Sequence, residues 1–212
     1  MNTILIAIIV ANALFSFKGF NDHTFFRKYE FHMGSIRSGE QIRLLSSAFL
    51  HADIGHLAFN MITLYFFAPV VIGYLGTFSF VIIYFGSLIF GSLLTILFHK
   101  NDYNYRAVGA SGAVTGILYS AILLEPNMML GIFFIIPIPA YIFGILYLLY
   151  SIYGMRAKND NIGHTAHFGG AIGGGLITLI TNPHLLIENT LMVVLLTIPI
   201  VILFAMAKMG KI

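Results

Sequence analysis

Residues 54–99 contain no Asp, Glu, Lys or Arg, and no other feature constrains the fold as strongly as this 46-residue run. Further uncharged runs cover 107–124, 126–155, 161–187 and 189–207. A stretch of about twenty apolar residues matches the hydrocarbon core of a bilayer, where only helices or closed barrels satisfy their own backbone. These runs are continuous rather than alternating, which favours helices over a barrel. Composition agrees: 58% of the 212 residues are hydrophobic and 9% charged, against about a quarter charged in a soluble domain. The chain reads as an all-α polytopic membrane protein. Its +3 charge belongs to loops, with no basic aromatic surface to suit nucleic acid, so the partner implied is the lipid bilayer. Cysteine is absent, which removes disulfides and thiol chemistry.

The runs divide into seven spans. The opening MNTILIAIIVANALFSF resembles a signal peptide but has no Lys or Arg ahead of its apolar stretch, so residues 3–17 are read as span 1. Residues 18–52 form a long connection in which charge mixes with aromatics, as in FNDHTFFRKYEF, a composition suited to an interface. Residues 54–99 exceed one crossing, and Gly73 and Gly76 mark a turn between spans at 54–72 and 77–98. Span 4 covers 108–124. The PIP sequence starts span 5 near Pro137 and leaves 126–136 as an interfacial segment. Spans 6 and 7 cover 163–181 and 189–207. No internal repeat is evident, which speaks against a small transporter.

Seven spans impose a geometry. Spans 2, 4 and 6 run in one direction, so their N-terminal ends lie together with connections 1, 3 and 5. His56 and Asn60 sit near the start of span 2, Ser111 near the start of span 4, and His164 and His167 near the start of span 6. The polar groups capable of chemistry therefore fall at similar depth below one face. Such residues are costly in a membrane and usually line a bundle interior or a wet cavity.

Each has a structural and a chemical reading. Ser111 lies in GASG, where Gly109, Gly112 and Gly116 form a small-residue stripe for close helix packing. Gly170 and Gly174 give span 6 a matching stripe around His167. Two glycine-striped helices approach closely, which is how a serine on one could come within about 3 Å of a base on the other. The packing and catalytic readings therefore support each other. Carboxylates that might orient the histidine, Asp53, Asp102 and Asp160, all lie at loop edges, so a Ser–His dyad held by neutral hydrogen bonds is expected rather than a full triad. Asn60 and His56 share a helix face and suit either an interhelical bond or an oxyanion site with the Ser111 amide. Zinc on His51, His56, His164 and His167 is disfavoured, because no HExxH occurs and no carboxylate lies within the spans. No metal or cofactor is expected. A soluble hydrolase elbow fails at Ala113, where glycine is required.

The segments LHADIGHLAFN, GASG and AHFGGAIGG, in that order and at corresponding depths, resemble the three signature segments of the rhomboid family of intramembrane serine proteases. EQIRLLSSAFLHAD and the PIP entry to span 5 extend the resemblance over about residues 35–180. It implies a six-helix core over residues 1–182, with an extra C-terminal transmembrane helix and tail at 183–212. It implies Ser111 as nucleophile, His167 as general base, and His56, Asn60 and the Ser111 amide around the oxyanion. The substrates implied are transmembrane helices of other proteins, with span 5 gating access through aromatics such as Phe143 and Tyr147. Thr115 departs from the family, which often has an aromatic there to stack on the histidine, and Ile72 stands where an acidic residue is common. A non-proteolytic rhomboid-like adaptor or dislocation factor is the alternative. Orientation is contested. All eleven Lys and Arg fall on connections 1, 3 and 5 or on the tail, which the positive-inside rule assigns to the cytoplasm. The resemblance implies a cell (inner) membrane protein whose site opens to the extracytoplasmic side.

Overall fold

Polar residues at the edges of the apolar runs set the helix ends. In the computed structural model, which describes residues 2–132, 136–157 and 162–212, Asn2 accepts from the amides of Ile4 and Leu5 and opens α1 (Thr3–Asn21). This helix outruns the expected 3–17. Lys18 stays helical, with its ammonium 4.4 Å from the centre of the Phe25 ring.

Connection 1 is a folded cap. It comprises α2 (His23–Tyr29), β1 (Phe31–His32), α3 (Met33–Arg37), α4 (Arg43–Ser46) and a 3-10 turn, Ser47–Phe49. Arg43 is buried in it and donates to the carbonyls of Arg27 and Glu30 at 2.8 and 2.9 Å. The buried Glu30 carboxylate pairs with Arg27 and with Arg106. Arg106 lies in β2 (Arg106–Ala107), which pairs antiparallel with β1. Breaking a buried ion pair leaves an uncompensated charge, so this cluster ties connection 1 firmly to connection 3.

The uncharged 54–99 run becomes α5 (Ile54–His99), capped by Asp53, whose carboxylate accepts the His56 amide at 2.8 Å. Gly73 is helical. The break falls at Gly76 alone, with φ 80° and ψ 167°, a backbone that side chains other than glycine rarely adopt. The chain doubles back there: His56 at one end of α5 lies against Gly109, and the other end receives Arg37, which donates to the Lys100 carbonyl at 2.7 Å.

Next comes α6 (Ser111–Leu124), with every residue buried. At 14 residues it spans roughly 21 Å, short of the hydrocarbon thickness. Because its neighbours surround it, it has no lipid-facing side to match. The start of span 5 at Pro137 is corrected: β3 (Met129–Ile132) and β4 (Ile136–Pro139) pair antiparallel, with Pro137 opposite Gly131. Proline tolerates this edge position, and α7 (Ala140–Ala157) begins after the second proline. Then follow α8 (His164–Thr181), α9 (Leu185–Glu188) and α10 (Thr190–Lys208).

Among the described residues, four helices are long and apolar enough to cross a membrane: α1, α5, α7 and α10. The break lets α5 supply two passes, α6 stands wholly inside the bundle, and α8 packs against it with part of its surface outward. Large apolar side chains point outward, among them Phe78 and Ile180 at 78% and 75% exposure, as lipid-facing surface requires. Connections 1 and 3 share one side with the tail, since Ile212 lines a cavity with His99 and Arg106. The other side joins Asn2 to Thr77, Tyr74 to Glu125, and Asn189 to the Leu123 carbonyl. The fold is an all-α polytopic bundle built on α5, α6 and α8.

Candidate active site

The glycines of α6 and α8 bring those helices to backbone contact. A Cβ on Gly170 would fall on the backbone of Gly112, and one on Gly174 on that of Gly116. Gly112 itself faces the Ala166 carbonyl, 3.1 Å from where its Cβ would stand. Gly109 does not belong to this stripe, contrary to the sequence reading. It precedes α6 with φ 124°, and a Cβ there would press on the His56 ring at 2.7 Å.

This seam sets the distance between two reactive side chains. Ser111 Oγ lies 2.9 Å from His167 Nε2, at hydrogen-bond distance, and both residues are buried. On the other side of the ring, Nδ1 lies 2.9 Å from Ser151 Oγ. The Tyr147 ring lies over the imidazole, centroids 4.8 Å apart at 28°, with its hydroxyl 3.1 Å from Nε2. Sequence reasoning left the stacking position at residue 115 without an aromatic. Tyr147 of α7 supplies the ring from another helix, and its hydroxyl meets the Thr115 side chain. The Thr115 hydroxyl in turn donates to the Ser111 carbonyl at 2.6 Å.

None of the described carboxylates considered for orienting His167 does so. Asp53 caps α5 and Asp102 accepts from the Asn104 amide, whereas Asp160 lies outside the described residues. Ser151 occupies that position instead. It is the only aliphatic hydroxyl in span 5, and it sits one turn from Tyr147. A lone buried hydroxyl in an apolar helix was the available signal.

The loop before Ser111 is held by His51. Ala110 N–H donates to His51 Nε2 at 3.3 Å, and His51 Nδ1 lies 2.8 Å from the Ser16 hydroxyl, which donates to the Phe49 carbonyl. With that hydroxyl's proton used, Nδ1–H donates to Ser16 and the ring is neutral. Burial, with a smaller contribution from the His56 ring, pushes its pKa down to about 3 against the opposing pull of Asp53. His56 stands edge-on to His51 at 5.0 Å. Asn60 is buried, but its amide donates to the His56 carbonyl at 3.0 Å, within its own helix. His164 stands edge-on to His167 at 5.6 Å, and among the described residues no three His, Asp or Glu side chains converge at metal-binding spacing. A cavity of about 30 Å³ reaches Ser111 between Ser47, Ser92 and Thr95.

Comparison with known proteins shows the family. The Rhomboid domain family model matches residues 38–184, more than half of the chain. The chain is 30% identical over 185 residues to RHOMBOID-like protein 12, mitochondrial, of Arabidopsis thaliana, covering 79% of this chain and 55% of that protein. It is 33% identical over 147 residues to the putative rhomboid protease YdcA of Bacillus subtilis, covering 68% and 69%. To rhomboid protease GluP of the same organism it is 34% identical over 139 residues, covering 66% of this chain and 26% of GluP. It thus spans about half the length of the plant relative and a quarter of GluP. Three ordered motifs, an inner trio of helices and a family match that includes all of them lead to one conclusion: this chain is a multi-pass membrane protein of the rhomboid family.

Proposed function

We propose that the chain is an intramembrane serine endopeptidase that hydrolyses peptide bonds of transmembrane substrate proteins with Ser111 and His167. The observation that carries this reading is the 2.9 Å hydrogen-bond contact between Ser111 Oγ and His167 Nε2. Nucleophilic attack by serine needs a base at that distance with a free lone pair. The Ser111 oxygen attacks the scissile carbonyl carbon while its proton moves to Nε2. The tetrahedral intermediate collapses as Nε2–H protonates the leaving amine, and an acyl-enzyme remains. Water then attacks the ester, giving a proton to Nε2, which returns it to the departing Ser111 oxygen as the carboxylic acid product is released. Ser111 is the first residue of α6, where intrahelical bonding leaves amides available, and its N–H faces the developing oxyanion. His56, packed against Gly109, supplies a second donor, and Asn60 a third through its remaining amide hydrogen. The small cavity at Ser111, mostly apolar but with the hydroxyls of Ser47, Ser92 and Thr95 in its wall, has room for water.

In this reading residues 1–182 form the protease core and 183–212 an added helix and tail. The site opens to the extracytoplasmic side of a cell (inner) membrane, because three specific motifs outweigh a statistical charge bias. Reporter fusions after residues 160 and 212 test the orientation, and cytoplasmic signals from both would reverse it. The chemistry is tested by labelling with a fluorophosphonate, native protein against Ser111→Ala. Label should appear on the native chain alone, and equal labelling of both would remove Ser111 as nucleophile.

A further inference from the structure

The His167 ring has two nitrogens, and the proposed chemistry uses only one of them. The other, Nδ1, meets a side chain from a third helix. Ser151 Oγ lies 2.9 Å from it and is fully buried. The Ser151 hydroxyl has a single proton, and that proton is engaged: it donates to the Tyr147 carbonyl one turn back, at 3.0 Å. Helical serines commonly make this i−4 bond. A hydroxyl whose proton is committed can only accept from a second partner. The imidazole must therefore carry its proton on Nδ1 and turn a lone pair at Nε2 towards two hydroxyls, Ser111 at 2.9 Å and Tyr147 at 3.1 Å. The opposite tautomer would leave two acceptors, Nδ1 and Ser151 Oγ, facing each other in a buried site.

We propose that Ser151 is a positioning residue that selects the Nδ1–H tautomer of His167, so that three helices share one chain of hydrogen bonds: the Tyr147 carbonyl, Ser151, His167 and Ser111. It takes the orienting place that a carboxylate holds in the usual triad. It does so without placing a second buried charge beside the ring. Tyr147 stacks on the imidazole from the same helix, so one turn of α7 sets both the tilt of the ring and its protonation pattern. The inference rests on the proposed Ser111–His167 dyad for its catalytic consequence, but the tautomer itself can be observed without turnover.

The test uses the full chain in detergent or liposomes, as Ser151→Ala beside native and Ser111→Ala protein. Turnover of a reconstituted transmembrane substrate by Ser151→Ala should fall about tenfold in kcat, comparable to the loss of one hydrogen bond, with KM unchanged. Imidazole nitrogen NMR of histidine-labelled protein at alkaline pH should show His167 as Nδ1–H in the native chain and as a tautomer mixture in Ser151→Ala. An unchanged tautomer in Ser151→Ala overturns the proposal, whether activity is kept or is lost together with thermal stability. Turnover by Ser111→Ala would instead remove the dyad, and the tautomer measurement would still decide the role of Ser151.

Discussion

Helix α8 meets α6 and α7 through contacts of different kinds. Against α6, glycine meets backbone: Gly170 on Gly112 and Gly174 on Gly116, with no side chain between. Against α7, side chains make the contact, through Tyr147 stacked on His167 and Ser151 at its Nδ1. A backbone-to-backbone seam cannot yield without moving a whole helix. A contact made by side chains can adjust by a rotamer. The first therefore sets the Ser111–His167 distance, and the second sets the attitude of the ring. The two seams should fail differently when altered.

The largest effect is expected at the groups the rigid seam brings together. Ser111→Ala or His167→Ala should abolish cleavage of a reconstituted transmembrane substrate while the protein stays folded, as read by thermal unfolding. Next in size is the seam itself. Gly170→Ala puts a methyl into the Gly112 backbone, so stability should fall by at least about 1–3 kcal/mol, the usual cost of overpacking. Activity should fall with it. If Gly170→Ala melts like the native chain, the idea of an unyielding seam is wrong.

Intermediate effects belong to the oxyanion side. His56→Ala should lower turnover about 10²–10³-fold, typical for one donor, with Asn60→Ala milder because one of its amide hydrogens is already given to its own helix. Full activity in both would make them packing residues. On the adjustable seam, Tyr147→Ala should lower kcat with little change in melting temperature. Phe143→Ala should raise activity if its packing holds an entry closed. The sequence treated these two aromatics alike. The stack of Tyr147 on His167 separates them.

The smallest effect is one of pH. Buried His51 is neutral in the folded protein down to about pH 3, whereas an unfolded histidine takes up a proton near 6.5. Its folded pKa is lowered, so its contribution to stability is fully present above pH 6.5 and is lost as pH falls from 6.5 towards 3. Melting temperatures measured across that window should fall less steeply for His51→Gln than for the native chain. Parallel slopes would mean that His51 is protonated or exposed in the fold.

The order of the helices, the placing of Ser111 and His167 near the starts of two of them, and the glycine stripes at 112, 116, 170 and 174 could all be read from the chain. They depend on charge-free length and on helical periodicity, which are local properties that a bilayer enforces strongly. The PIP segment was misread for a related reason. Proline marks an end of regular helix, but whether strand or helix adjoins it depends on pairing, and Met129–Ile132 provided a partner. Gly109 was grouped with the stripe by spacing. Its real neighbour, His56, is 53 positions away in the chain, and no periodicity reports such a contact. The same holds for the tertiary partners of His167. Which helix offers a ring to the imidazole, and which hydroxyl faces Nδ1, depends on how α7 is rotated and packed against α8. Charge-free length specifies that a helix crosses, because the bilayer sees only its polarity. The facing of that helix follows from the sum of its side-chain contacts, and only the tertiary structure carries that sum.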